Sequence, residues 1–377
     1  MSGVIAMPYV GILVNDRTYR KIPMGNTKFE AIDHYVEAGK KYGISPCFIR
    51  LSDLKKGQST VKAYVKQNGL YVRQHVPAPL VIHNRALYTS ERQYRRLASR
   101  ISDGRMLFNY RNRYGKLFIH RLLWRNPALR PHLPETCRAT PANVVLMMKQ
   151  YNHLIVKPNK SSIGRGVMRM DRTNTGWRLT YPVVSRLGRQ KWRTIEWLGT
   201  RLPAILKNRI RKSFYIVQMC LPLAIYKGSP FDLRVSVQRT ADGNWGITGI
   251  VAKVAPKHTF VTNVAQGGKT YRLGHILREE YPHLSEEDVV QRISDLSTQV
   301  AYHLSHWLPH MADLGLDVGI TNEGYPMFIE SNGKDQRYSF REAGMLDEWI
   351  ATYHNPMAYA KYLLDASLND GKSSSET

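Results

Sequence analysis

The stretch LDVGITNEGYPMFIESNGKDQ, residues 316–336, reads as two short extended runs around a turn at Asn322-Glu323-Gly324. Apolar runs on either side of such a turn predict a β-hairpin. Side chains two apart on a strand face the same way, so Glu330 and Asn332 present three oxygens to one spot. If the runs pair about the turn, Asp317 lies diagonally across from Glu330, within reach of a shared ion. Oxygen ligands of this number suit Mg²⁺, which takes one or two protein carboxylates and completes its shell with waters and phosphate oxygens. A solvated hairpin edge is the other reading of the same residues.

The rest of the chain sets bounds on that hairpin. At 377 residues and 43% hydrophobic, the chain can bury the cores of two or three domains. No apolar run approaches the roughly 20 residues that cross a bilayer. The start, MSGVIAMPYVGILVND, lacks a basic n-region and reads as a first strand and not as a signal peptide. Three widely spaced cysteines, Cys47, Cys137 and Cys220, exclude a disulfide framework and a four-thiolate zinc site. They suit a reducing compartment, hence a cytoplasmic location. Lys and Arg number 55 against 29 Asp and Glu, a net charge of +26, which favours anionic partners. The excess is densest at 186–213, where Arg186, Arg189, Lys191, Arg193, Arg201, Lys207, Arg209, Arg211 and Lys212 meet a single Glu196. This segment is either a solvated face or an anionic-polymer contact.

Strand, helix, strand order opens the chain: VGILV, a helix over 26–43 with Asn26 as N-cap and Gly43 as stop, then SPCFIRL and PLVIHNR. That order predicts parallel pairing. Residues 89–105 predict a basic helix, 141–150 a second helix, and 153–158 a strand. WRTIEWLGTRLPAILKNRIRK reads as mostly helical with a break at Pro203. FYIVQMCLPL and FDLRVSVQR are strands, the latter pairing with WGITGIVAKV across an Asp242-Gly243-Asn244 turn. Ser285 and Asp288 form a capping box for a helix whose apolar stripe is Ile293, Leu296, Val300, Leu304 and Trp307. Residues 369–377 read as a disordered polar tail.

Three further segments carry chemistry. HLIVKPNKSSIGRGV ends a buried run in Lys157, whose ammonium can meet phosphate oxygens. Ser161, Ser162, Gly164 and Gly166 follow in a loop whose backbone N–H groups can approach phosphates closely. The loop joins strand to strand and is not a Walker loop. In FDLRV, Asp232 and Arg234 share a face, and Asp232 can hold Arg234 in a fixed pose to serve an oxyanion. In VAKV, Lys253 interrupts an apolar strand, and VTNVAQGGKT follows with Asn263 and two glycines. Surface ion pairs and snorkelling are the ordinary readings of the last two features.

Taken in order, HLPETCRATPANV, IVKPNKSSIGRGV, FDLRV, TNVAQGG and FIESNGKDQRYSF resemble the ATP-grasp superfamily from about residue 110 onward. More narrowly, the whole sequence is similar to the YheC/YheD-type proteins described as endospore coat-associated. The resemblance implies an α/β and α+β architecture: an N-terminal α/β pre-ATP-grasp domain over 1–110 and an ATP-grasp domain over 111–368. The latter's subdomains, about 111–213 and 214–368, would clasp ATP between them. It also implies roles. Lys116 and Lys157 match the ATP-contacting lysines, and Ser161 to Gly166 the loop over the phosphates. Gln218 and Met219 match the hinge strand that meets adenine. Arg234 and Lys253 match the catalytic cations near the transferred phosphate, with Asp232 and Asn263 beside the nucleotide. Asp317, Glu330 and Asn332 match the magnesium ligands. The chain departs from the wider family at Lys253, where many relatives have arginine, and at Gly333-Lys334-Asp335, where a proline-glycine turn is common. These departures bear on the acceptor pocket.

The implied function is an ATP- and magnesium-dependent carboxylate–amine or carboxylate–thiol ligase that forms an acyl phosphate, acting in spore or cell-envelope assembly. The alternatives are a non-catalytic spore-coat scaffold that keeps the fold, and a polyanion-binding protein.

Overall fold

The computed structural model describes residues 7–27, 30–101, 104–161, 163–184 and 190–373, the last four in backbone only. Three six-stranded sheets build it. The first contains β1 (Tyr9–Leu13), β2 (Ser45–Ile49), β3 (Thr60–Gln67), β4 (Leu70–Pro77), β5 (Val81–Asn84) and β6 (Met106–Phe108), in the order β4-β3-β2-β1-β5-β6. The four strands β2-β1-β5-β6 are parallel, as strand–helix–strand order predicts. Helices α1 (Asp16–Tyr19), α2 (Ile32–Tyr42) and α3 (Glu91–Arg100) accompany them. Helix α2 begins at Ile32 with Ala31 as N-cap, later than the Asn26 start that the sequence suggests, and stops at left-handed Gly43 as expected.

The second sheet contains β7 (Thr136–Arg138), β8 (His153–Pro158), β9 (Met168–Arg172), β10 (Trp177–Val184), β11 (Gln190–Trp197) and β12 (Tyr215–Met219), in the order β11-β10-β9-β8-β12-β7. Helix α4 (Lys116–Trp124) precedes it, and α5 (Pro141–Gln150) and α6 (Ala204–Lys212) pack with it. Residues 190–197 are thus a strand and not the start of a helix; only 204–212, beyond Pro203, is helical. Because β12 belongs to this sheet, a subdomain boundary at 213 would cut the sheet in two.

The third sheet contains β13 (Ile225–Tyr226), β14 (Ser229–Arg239), β15 (Trp245–Val254), β16 (Lys269–Arg272), β17 (Asp313–Ile320) and β18 (Pro326–Asn332). Its order is β16-β15-β14-β17-β18, with β13 on β14. Helices α7 (Leu273–Glu280) and α8 (Glu286–Trp307) cover one face, and α9 (Tyr338–Glu342) and α10 (Leu346–Ser373) follow. The Ser285 hydroxyl caps α8 by accepting from Asp288 N–H. Ile293, Leu296, Val300 and Leu304 are buried as the stripe predicts, while Trp307 is half exposed. Helix α10 continues to Ser373 where a tail from 369 was expected; residues 374–377 lie outside the described residues.

The largest core lies under the third sheet and takes in Ile119, Leu122 and Leu123 from α4. So residues just after 110 pack with the C-terminal sheet. Helix α10 closes the N-terminal core instead, through Tyr353, Met357, Ala360 and Leu364.

Candidate nucleotide and metal site

A cavity of about 470 Å³ lies between the second and third sheets. Lys116, Lys157, Ser161, Gly164, Gln218, Met219, Asp232, Lys253, Asn263, Asp317 and Glu330 all line it. Asn332 lines a smaller adjoining cavity of about 90 Å³, which shares Lys116, Lys157 and Glu330 with the larger one. Arg234 stands one step behind, on Asp317, and Gly166 packs beside Pro158 and Tyr215. Ser162 lies outside the described residues.

The hairpin forms as predicted, with one refinement. Asp317 pairs directly opposite Glu330, not diagonally, and Gly315 opposite Asn332. A bulge at Ile329 separates this register from that of Val318 and Phe328. Leu314, Leu316, Val318 and Phe328 all point into the core under α8. Without the bulge Glu330 would follow Phe328 into that core; the extra residue turns Glu330 and Asn332 to the face of Asp317.

Side chains from neighbouring strands fix the charges. Lys253 on β15 reaches Asp317 at 2.8 Å and Asp232 at 3.0 Å. Arg234 on β14 reaches Asp317 at 3.1 Å and Asp335 at 3.6 Å. Asp232 therefore holds Lys253 and not Arg234, which corrects the same-strand pairing that the sequence suggested. Cross-strand neighbours sit closer than i, i+2 neighbours, and β14 has β15 on one side and β17 on the other. The Thr262 hydroxyl donates to the other Asp232 oxygen at 2.6 Å. Lys116, at the start of α4, reaches Glu330 at 3.1 Å and donates to the Ser161 carbonyl at 3.0 Å.

Lys157 is 7% exposed and has no ion-pair or hydrogen-bond partner among the described residues. Burial pulls its ammonium down to about 8. Two Arg234 nitrogens, Nε and Nη1, are buried without hydrogen-bond acceptors among the described residues. Lys116, Lys157, Arg234 and Lys253 thus meet four carboxylates, Asp232, Asp317, Glu330 and Asp335, with unused donors on both Lys157 and Arg234. Burial opposes ionisation of Glu330, but Lys116 and Lys157 outweigh it and hold its carboxyl well below the usual range. Burial pushes Asp317 up to about 6, against the pull of Arg234 and Lys253.

The glycine loop closes one side of the cavity. Gly164 has φ +62°, and a Cβ there would lie 2.5 Å from Val261. Only glycine lets this turn touch the 260–266 segment. Gln266 donates to the Ile163 carbonyl and accepts from Gln190, so the loop, the segment around Asn263 and β11 are pinned together.

On the opposite wall, Met219 N–H donates to the Glu135 carbonyl and Cys220 N–H to the His153 carbonyl, both at 3.0 Å. The Gln218 side chain donates to Thr136. The next N–H, that of Leu221, has no partner among the described residues and lines the cavity. This unpartnered N–H lies two residues beyond Met219, past the strand end, where no side-chain pattern marks it. Thr262 and Asp335 are two more residues that sequence reasoning missed.

Asp317, Glu330 and Asn332 offer two carboxylates and an amide oxygen in register on one face, a donor set that fits a hard cation such as Mg²⁺. Among the described residues no cluster of three His, Cys, Asp or Glu is placed to hold a metal; the third donor here is an amide.

A nucleotide-sized cavity between two antiparallel sheets, with lysines on one wall and a carboxylate hairpin on the other, defines the ATP-grasp fold. Its shape is shared with D-cycloserine synthetase DcsG (TM-score 0.51, 12% identity, 92% of this chain and 99% of that one). D-alanyl-alanine synthetase A from Vibrio cholerae is similarly alike (TM-score 0.51, 12% identity, 94% and 99%). The family is narrower than the fold: residues 104–363 match the sequence model of the YheC/D-like ATP-grasp family, and the chain belongs to it. It is 20% identical to the endospore coat-associated protein YheD of Bacillus subtilis, over 82% of this chain and 69% of that protein. It is 21% identical to YheC of the same organism, over 66% and 67%. No described helix is long and apolar enough to cross a membrane.

Proposed function

We propose that the protein is an ATP- and magnesium-dependent ligase that converts a substrate carboxylate to an acyl phosphate, which an amine or other nucleophile then attacks. The observation that carries this reading is the convergence of Lys116, unpaired Lys157 and Lys253 with Asp317 and Glu330 on one cavity, with Arg234 behind Asp317 and Asn332 on the adjoining cavity. Phosphoryl transfer needs positioning and charge neutralisation more than a protein base. Adenine sits against Leu221, where the free N–H donates to it. Lys116 and Lys157 hold the phosphates, under the 161–166 loop. Lys253, on the cavity wall, and Arg234, buried behind Asp317, supply positive charge toward the oxygens on which charge develops. Magnesium bound by Asp317, Glu330 and Asn332 supplies further neutralisation of the phosphate oxygens. The acyl phosphate keeps the transferred phosphoryl group until the nucleophile displaces inorganic phosphate.

Thermal unfolding with and without Mg-ATP tests this reading. A ligand that binds only the folded state at a hundredfold excess over Kd stabilises by about 2.7 kcal/mol. The wild type shifts upward by a few degrees, and a Glu330→Gln, Asn332→Ala double variant does not. No shift in the wild type overturns the nucleotide site. ADP release on addition of a carboxylate and an amine then separates a ligase from a nucleotide-binding scaffold.

A second reading rests on a separate surface. Lys191, Arg193, Arg201, Lys207, Arg211 and Lys212 are all exposed along β11 and α6, away from the cavity lining. This face suits an anionic polymer. The names of the relatives lead us to place the protein at the spore coat, a setting in which either reading can operate.

A further inference from the structure

The hairpin has a turn at one end, and the N-terminal unit closes the other. Asn109 follows β6 in a left-handed conformation, φ 56°, which asparagine tolerates better than most residues. It is buried, and its amide makes four bonds. Nδ2 donates to the Asp313 carbonyl at 2.8 Å and the Gly333 carbonyl at 3.2 Å. Oδ1 accepts from Ala312 N–H at 2.8 Å and Asp313 N–H at 3.1 Å. Asp313 opens β17 and Gly333 follows β18, so one side chain ties both strands together.

The residues after Asn332 are tied one by one. Gly333 has no room for a side chain, since a Cβ would lie 2.8 Å from the Asn112 Cα. Lys334 Nζ donates to the Arg85 carbonyl at 2.7 Å and lies 3.6 Å from Glu30. The Asp335 carbonyl accepts from Arg85 Nη2 at 2.9 Å, and its carboxylate accepts from Ser236 at 2.8 Å. Arg85 is itself gripped by Glu30 at 2.9 Å and Asp313 at 3.0 Å. Arg337 completes the network, 2.7 Å from Asp313. Two buried carboxylates, Glu30 and Asp313, thus hold Arg85, Arg337 and Lys334, while the Asp335 carboxylate turns to Ser236 and Arg234.

We propose that Asn109 and Lys334 are positioning residues for the metal hairpin: they fix its open end to the N-terminal unit and so set the spacing of Asp317, Glu330 and Asn332. This inference rests on reading the hairpin as the magnesium site. Asp317 and Glu330 are like charges in direct register, and they repel unless a cation lies between them. The ladder sets the mean spacing of the two strands, and the ties at Asp313, Gly333 and Lys334 fix their open end against that repulsion. Mg²⁺ demands near-ideal octahedral geometry, so its affinity is sensitive to that separation. Asn109 lines neither cavity and so acts only through the strands it joins, whereas Lys334 also lines the smaller cavity beside Asn332.

The test is a Mg²⁺ titration of the full chain at fixed ATP, read as the melting temperature and without any acceptor substrate. Loss of an outer-shell partner weakens metal binding by about 10–100-fold. Lys334→Met is therefore expected to raise the half-saturating Mg²⁺ about tenfold or more. Lys334→Arg, which keeps a donor for the Arg85 carbonyl, restores most of it. Asn109→Gly, which accepts the positive φ, moves the midpoint the same way; if it fails to fold, Asn109→Asp, which also tolerates that φ but loses both Nδ2 donors, takes its place. A lower melting temperature without ligand but an unchanged Mg²⁺ midpoint in Lys334→Met overturns the proposal and leaves the metal site standing. A wild type whose ATP response does not depend on Mg²⁺ overturns the metal site, and the clamp with it.

Discussion

Lys157 is the residue at which folding and binding pull hardest against each other. It ends β8 with its stem packed and its ammonium buried, with no partner among the described residues. Its pKa falls from 10.5 in the unfolded chain to about 8 in the fold. A base with a lowered folded pKa destabilises the fold while both states are protonated. The penalty is therefore full below pH 8, shrinks between 8 and 10.5, and is gone above 10.5. At one pKa unit per 1.36 kcal/mol its ceiling is about 3 kcal/mol. Lys157→Met removes that penalty and keeps the packing of the stem. It should raise the melting temperature of the ligand-free protein at about pH 7, with a smaller gain at about pH 10, and abolish the shift with Mg-ATP. A ligand-free protein that is less stable at neutral pH after the substitution would contradict this account. Lys253 shows the opposite design, since Asp232 and Asp317 already satisfy it. Losing it leaves buried Asp232 with only the Thr262 hydroxyl and Asp317 with only Arg234, so Lys253→Met should cost about 3 kcal/mol in chemical denaturation.

The β17–β18 hairpin shows how one extra residue sets the chemistry of an element. The Ile329 bulge moves Glu330 and Asn332 from the core face to the cavity face. Deleting Ile329 removes the bulge and places Glu330 directly after core-facing Phe328, so Glu330 and Asn332 keep the cavity face and their register with Asp317 and Gly315. The deletion should therefore retain the Mg-ATP shift, as should Ile329→Val, and a shift lost in the deletion alone would contradict this account of the register. Much of this element was legible in the sequence: the turn, the two runs and the shared direction of Glu330 and Asn332 follow from period-two geometry. The bulge was not, because Phe328, Ile329 and Glu330 alternate as any strand would, and only the partner strand shows the extra residue. Strand β11 was hidden for a related reason. Trp192, Ile195 and Trp197 straddle both periods, and β11 owes its state to eight paired positions on β10. The partners of Asp232 and Arg234 were hidden because they come from β15 and β17, each distant in sequence. The Leu221 hinge group was invisible because it is backbone.

Across the whole molecule, the site and the charge are separate features. The cavity lining carries nearly matched charges, Lys116, Lys157, Arg169 and Lys253 against Asp232, Asp317 and Glu330, so the excess of +26 lies elsewhere. The β11–α6 face carries six exposed basic residues, Lys191, Arg193, Arg201, Lys207, Arg211 and Lys212, and its Glu196 is taken by Arg178 at 2.8 Å. Exposed charges several ångströms apart, with about 8 Å of screening length at physiological ionic strength, act on a polyanion chiefly by releasing its counterions. Binding of that kind weakens steeply with salt, and the dependence becomes shallower with each basic residue that is neutralised. The protein should therefore stay on heparin at low salt and elute as salt rises. A Lys191→Gln, Arg193→Gln, Lys207→Gln, Arg211→Gln variant should elute earlier. None of the four lines the cavity, so its Mg-ATP melting shift should match that of the wild type. An unchanged elution position would move the polyanion-binding surface off this face. A shift that disappears together with retention would mean that the face and the nucleotide site are coupled, through the bond that links β11 at Gln190 to Gln266 beside the glycine loop.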